Sequence, residues 1–155
     1  MKLNLGAGNS RRKGWVNLDM KAYPGVQVVH DLNEFPWPFE DESFDEIVAL
    51  DVFEHILNFY RTMDECSRIL MCDGLLTIQG PLAGSWSHYH DPTHLRGFLA
   101  DSFEMWDRST YRGRKYQYGV GDWHVVSAEE ITPGKTMMFK LRKICEHYIS
   151  VKMDK

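Results

Sequence analysis

The chain has 155 residues, a net charge of −4 and 43% hydrophobic residues, enough for one domain with a real core. No apolar run approaches the roughly 18 residues of a membrane span, and the negative charge argues against broad nucleic-acid affinity. Cys66, Cys72 and Cys145 are odd in number and lack C-x-x-C spacing. They predict reduced packing residues in a cytoplasmic protein, with no secretory leader ahead of the first strand.

Leu3 to Leu5 reads as strand one and runs straight into a Gly6-Ala7-Gly8 turn. Only ten residues lie between Gly8 and Asp19, so the usual crossover helix shrinks to a turn. Val16 to Leu18 is strand two, ended by Asp19, and Val26 to Val29 is strand three, followed by Asp31. Glycines let a backbone approach a ligand closely, and a carboxylate at the next strand tip can hold a ribose diol. The pattern therefore suggests an adenosine-containing ligand over the carboxyl ends of a parallel sheet. A nicotinamide reading fits less well. The third glycine of G-x-G-x-x-G would fall at Arg11, and the acid comes sooner than the roughly 20 residues expected.

Pro36-Trp37-Pro38-Phe39 forms a rigid connection into strand four, Phe44 to Leu50, an apolar run typical of a buried parallel strand. Helical spacing of Ile56, Tyr60, Met63, Ser67 and Leu70 predicts one helix over roughly 52–71, stopped at Asp73-Gly74 with the glycine as left-handed cap. Strand five is Leu75 to Ile78. A loop rich in aromatic residues and histidines follows, then a short helix from Asp101 or Ser102 through Trp106. Trp123 to Ser127 and Met137 to Ile144 form a closing strand pair around Thr132-Pro133-Gly134. This order predicts a single α/β domain over residues 1–155 with a doubly wound, mostly parallel sheet of seven-stranded type. It has a C-terminal antiparallel hairpin, a reduced first helix and no N-terminal helical cap.

Several of these pieces, in this order, resemble the class I S-adenosylmethionine-dependent methyltransferases. They are Leu3-Asn4-Leu5-Gly6-Ala7-Gly8-Asn9, Asn17-Leu18-Asp19, His30-Asp31-Leu32-Asn33, Phe39 through Asp45, Asp51-Val52-Phe53-Glu54-His55-Ile56, and Glu65 through Leu76. The resemblance covers about the first 80 residues and implies S-adenosylmethionine as cofactor. Leu5, Gly6, Ala7, Gly8 and Asn9 would then face its methionine part. Asp19 would accept both ribose hydroxyls, and Met20 would lie on the adenine. Asp31 and Leu32 would contact the adenine amine and ring. Asp51 and Val52 would lie under the sulfonium. The substrate side is open, roofed by residues 81–121, or completed by a homodimer partner or another subunit.

Methyl transfer mainly needs alignment of a nucleophile with the methyl group, and a hydroxyl nucleophile benefits from a base or a metal. Asp51, Glu54 and His55 fall at i, i+3 and i+4, one face of the expected helix. His88, His90, Asp91, His94 and Arg96 crowd the loop after strand five. Glu54, His55, His90 and His94 are the catalytic candidates, and Trp86, Tyr89 and Arg96 the substrate-binding ones. Phe103 and Trp106, at helical spacing, read as core. Some family members hold a divalent metal on such an acid-x-x-Glu-His element, which would here use Asp51, Glu54, His55 and His90.

The leading expectation is methyl transfer to an oxygen or nitrogen of a small molecule, sugar or metabolite, with no membrane involved. A metal-assisted RNA-end or nucleotide methyltransferase is the second, with Arg11-Arg12-Lys13 and the Arg112 cluster gripping phosphate. A cofactor-binding module that needs a catalytic partner is the third.

Overall fold

A computed structural model describes residues 1–119 and 121–145. Seven strands form one sheet in the order β3-β2-β1-β4-β5-β7-β6. β1 (Lys2–Leu5), β2 (Val16–Asp19), β3 (Val28–Val29), β4 (Phe44–Leu50) and β5 (Leu70–Pro81) run parallel. β7 (Thr136–Ile144) runs antiparallel to β5, and β6 (Asp122–Thr132) closes the edge as its hairpin partner. Leu3, Leu5, Leu18, Ile47, Ala49, Leu76 and Ile78 are buried in the central strands, as expected where a parallel sheet is covered on both faces. No described helix is long and apolar enough to cross a membrane.

No described helix separates β1 from β2. Two buried asparagines in register, Asn4 and Asn17, organise the segment instead. Asn4 Nδ2 donates to Ser10 O and to Asn17 Oδ1, and Asn17 Oδ1 also accepts from the Arg12 amide. Asn17 Nδ2 donates in turn to Arg12 O and Trp15 O. The side-chain amides satisfy loop backbone that a crossover helix would otherwise satisfy for itself.

The single helix expected over 52–71 is split. A 3₁₀ turn spans Phe53–His55 and α1 spans Phe59–Ile69. The apolar spacing continues across the break, but the backbone groups of the break are taken elsewhere. Arg96 Nη1 donates to Phe53 O and Ile56 O, the Leu57 amide donates to Asn33 Oδ1, and Asn58 caps α1 by accepting from the Arg61 amide. Asp51 therefore does not share a helical face with Glu54 and His55. At the far end α1 passes directly into β5 at Leu70, and Asp73, not Gly74, takes the left-handed backbone, at φ 62°. β5 begins earlier than expected, because Leu70 pairs with Phe44 before a bulge re-registers the ladder at Glu46 and Leu75.

The same bulge corrects the cysteine expectation. It carries Cys72 beside the end of β7, where it is disulfide-bonded to Cys145, while Cys66 is free and buried. The strand pair β6–β7 runs longer than read from the sequence, around the expected turn, and the expected helix at 101–106 is a 3₁₀ turn over Glu104–Trp106. α2 (Trp86–Tyr89) and α3 (Tyr111–Tyr116) complete the helices of the described residues. Phe103 and Trp106 lie in the core with Phe59, Phe98 and Phe139, and the Phe103 and Phe139 ring centroids are 4.7 Å apart. Edge-to-face packing of this kind adds to the burial of the rings.

Candidate functional site

The glycine turn sits at the carboxyl end of β1, and both of its glycines have positive φ, 60° at Gly6 and 44° at Gly8. A Cβ on Gly6 would lie 2.4 Å from Val52 Cγ2, so glycine is required there for space as well as for conformation. Asp19, at the end of β2 and only 8% exposed, accepts from the Gly8 amide at 2.8 Å and from the Lys21 amide at 3.0 Å, one on each carboxylate oxygen. A carboxylate has about four acceptor positions, so it retains lone pairs for a vicinal diol. Leu5 and Ala7 are buried beside the turn, whereas Asn9 and Met20 are exposed. Asp31 Oδ1 accepts from the amide and side chain of Asn33. Leu32 is buried in the core, with its carbonyl accepting from Trp37 Nε1. The turn and the Asp19 carboxylate meet at the carboxyl ends of β1 and β2, a donor set that suits the ribose diol implied by the sequence resemblance.

β4 ends in a tight turn at Asp51, whose φ is 55°. Its carboxylate accepts from Gln79 Nε2 at 2.9 Å, which points it to β5. Glu54 is buried, 1% exposed, and its Oε2 has no hydrogen-bond partner among the described residues. Burial pushes its carboxyl up to about 7, with Asp51 and Asp91 adding to the rise.

His55 is the end of a hydrogen-bonded chain. Asp91 Oδ1 accepts the Thr93 hydroxyl proton at 2.7 Å, and Thr93 Oγ1 lies 3.0 Å from His55 Nδ1. Thr93 has one hydroxyl proton, and it goes to the carboxylate. His55 Nδ1 must then donate to Thr93, which leaves Nε2 as the unprotonated nitrogen of the neutral ring. Hydrogen bonds from Thr93, and the nearby His94 and His55, hold the Asp91 carboxyl below its ordinary range. His94 packs edge-on against His55 at 4.8 Å, with its Nδ1 3.2 Å from His88 O.

Glu54, His55 and His94 bring three donor atoms within 4.8 Å of one another. Of the four residues grouped in the sequence for a metal, only Glu54 and His55 meet, and His94 replaces Asp51 and His90. His90 stacks on Trp86 at 4.2 Å. Trp86 and Tyr89 are each 72% exposed. Arg96 lies over the Phe59 ring and fastens the loop to the 3₁₀ turn. Arg112 of the second basic cluster is ion-paired to Asp101. Sequence reasoning missed Thr93 as a member of this group. Its Asp-x-Thr spacing signals a local turn, and nothing local signals a histidine 38 positions away. It missed Asn4 and Asn17 too, although two asparagines at matching places in adjoining apolar strands are a readable sign of a buried polar pair.

The chain matches the family described as Methyltransferase domain over residues 8–78. It is 37% identical over 84 residues to probable S-adenosylmethionine-dependent methyltransferases from two strains of Mycobacterium tuberculosis. That match covers 51% of this chain and 30% of theirs, so the chain spans under a third of the length of these relatives. Among solved structures, the Burkholderia thailandensis 1,6-didemethyltoxoflavin-N1-methyltransferase superposes with a TM-score of 0.65 at 18% identity, over 93% of this chain and 71% of its own. A putative methyltransferase, solved in complex with the Haloferax volcanii Trm112 methyltransferase activator, gives 0.63 at 14% identity, over 93% and 82%. An S-adenosylmethionine-dependent methyltransferase from Archaeoglobus fulgidus gives 0.62 at 12% identity, over 92% and 85%. The strand order and these superpositions give the described residues the fold of S-adenosylmethionine-dependent methyltransferases, and residues 8–78 are similar in sequence to the methyltransferase-domain family.

Proposed function

We propose that this domain transfers the methyl group of S-adenosylmethionine to an oxygen or nitrogen of a small molecule, with His55 as the general base. The observation that carries the reading is the Asp91–Thr93–His55 chain, which leaves a proton-accepting nitrogen just past the carboxyl end of β4. When bound, the cofactor supplies a methyl group on a sulfonium, an electrophile that needs no further activation.

The protein's share is alignment and proton removal. Gly6, Gly8 and Asp19 hold the cofactor, with Leu5, Ala7, Asn9, Met20, Asp31, Leu32, Asp51 and Val52 around it. His55 Nε2 takes the acceptor's proton as the new bond to carbon forms and the carbon–sulfur bond breaks, the electron pair leaving on sulfur. The resulting imidazolium is stabilised through Thr93 by the Asp91 carboxylate. Glu54, neutral below about pH 7, lies next to His55 without competing as a strong anion. Trp86 and Tyr89 offer exposed rings beside the loop for the acceptor.

The test is turnover. Purified protein is incubated with S-adenosylmethionine and a panel of phenols, hydroxy acids and amines, and S-adenosylhomocysteine formation is measured. Acceptor-dependent product that disappears in Asp19→Ala supports the reading. No binding of S-adenosylhomocysteine by the wild type would overturn it.

A further inference from the structure

Beside the histidine loop lies an open cavity of about 660 Å³, lined by Phe59, Tyr60, Arg96, Phe98, Trp106 and Tyr118 among others. Five of these six side chains are aromatic, and the sixth is a guanidinium. The Arg96 head group lies over the Phe59 ring, 5.0 Å from its centroid. Both protons of Nη1 are spent on the carbonyls of Phe53 and Ile56, each at 2.6 Å. Among the described residues the hydrogen bonds of the Arg96 head group run through Nη1 alone. Burial opposes its charge while the Glu54 carboxyl favours it.

With Nη1 held by the backbone, the half-buried guanidinium keeps its other donors available at the cavity wall. The unused Nε and Nη2 donors form the planar fork that receives two oxygens of one anion side by side. The rings around it match a flat apolar body. The charge is fixed in place, because the two backbone carbonyls hold the head group and Phe59 supports its face.

We infer that this cavity binds a small acid with an aromatic body, its carboxylate or phosphate docked on the free edge of Arg96. That this ligand is the methyl acceptor rests on the function proposed above. The fork then sets specificity: it accepts an acid and rejects its neutral counterpart. Arg96 also joins the ligand to the site physically, since Phe53 O, which it holds, lies two residues before His55.

The experiment is calorimetric titration of the wild type with benzoate, phenyl phosphate and 4-hydroxybenzoate, against benzamide and 4-hydroxybenzamide. The acids are expected to bind at least about tenfold more tightly than the amides, the worth of one charge-assisted bond. Whichever of the carboxylates or the phosphate binds more tightly identifies the anion. Arg96→Lys keeps the charge but not the fork, and is expected to lose most of that preference while its circular dichroism matches the wild type. Equal affinity for acids and amides, or no binding by any acid, would overturn the inference. S-adenosylhomocysteine is titrated separately. Acid binding without cofactor binding would keep the cavity's assignment and remove the methyltransferase reading, and the opposite result would do the reverse.

Discussion

The Gly8 amide donates to Asp19 Oδ2 at 2.8 Å, so the carboxylate proposed to hold the cofactor's ribose also shapes the turn that cradles it. The Lys21 amide on the other oxygen completes the arrangement. Asp19→Ala leaves both amides without that partner. It should lower stability by about 2 kcal/mol, the scale of hydrogen bonds to a charged group, and remove S-adenosylhomocysteine binding. Denaturant midpoints and calorimetry read the two effects apart. Asp19→Ala with unchanged affinity would reject Asp19 as a cofactor residue.

Gly6 and Gly134 both have positive φ, 60° and 68°, yet their surroundings differ. A Cβ on Gly134 meets nothing within 4 Å, whereas one on Gly6 runs into Val52. Gly134→Ala should cost only about 1 kcal/mol, the left-handed backbone penalty. Gly6→Ala should cost clearly more and weaken cofactor binding by shifting the segment after β4. Comparing urea midpoints of the two variants checks this, and equal losses would refute the steric argument.

Glu54 supplies a pH dependence. Its carboxyl is raised from an ordinary 4.5 to about 7 by burial, so the folded state binds its proton more tightly than the unfolded chain does. The stabilisation is complete below about 4.5 and is lost as pH rises through about 7. The full effect is at most about 3 kcal/mol. Between pH 5.5 and 8 the wild type should therefore lose stability relative to Glu54→Gln. Taking the difference between the two removes the contribution of the nearby histidines. Parallel stability curves over that range would show that Glu54 titrates normally.

Thr93→Val keeps the shape of the loop and cuts the chain between Asp91 and His55. With a working acceptor, kcat should fall about tenfold or more while cofactor affinity stays the same. His55→Ala should fall further, within the roughly 10²–10⁴-fold range of general-base catalysis. A Thr93→Val enzyme with wild-type kcat would mean that the hydroxyl only braces the turn.

The glycine turn, the mostly parallel sheet and the closing hairpin were legible because each rests on local chemistry: Gly6 and Gly8 for conformation, short apolar runs for buried parallel strands, Pro133-Gly134 for a turn. The break between Phe53–His55 and α1 was not, because the apolar period runs on across it. What breaks the helix is Arg96 and Asn33, one forty residues downstream of Ile56 and the other 24 upstream of Leu57. The same limit applies to the site. Glu54 and His55 stood out by adjacency, but the choice of His94 over His90 as their neighbour depends on how the loop folds back. The disulfide escaped for a similar reason, since a bulge inside β5 decides what Cys72 faces.

The buried Asn4–Asn17 pair changes what kind of segment joins β1 to β2. Surface loops ordinarily tolerate added or deleted residues. Here the amide groups of two strand residues are matched to Ser10, Arg12 and Trp15 one by one, and a shift of one position would unmatch all of them. Residues 9–15 should therefore resist insertion and deletion as strictly as a core strand. A library of length variants through this region would show an indel-intolerant stretch lying at the surface.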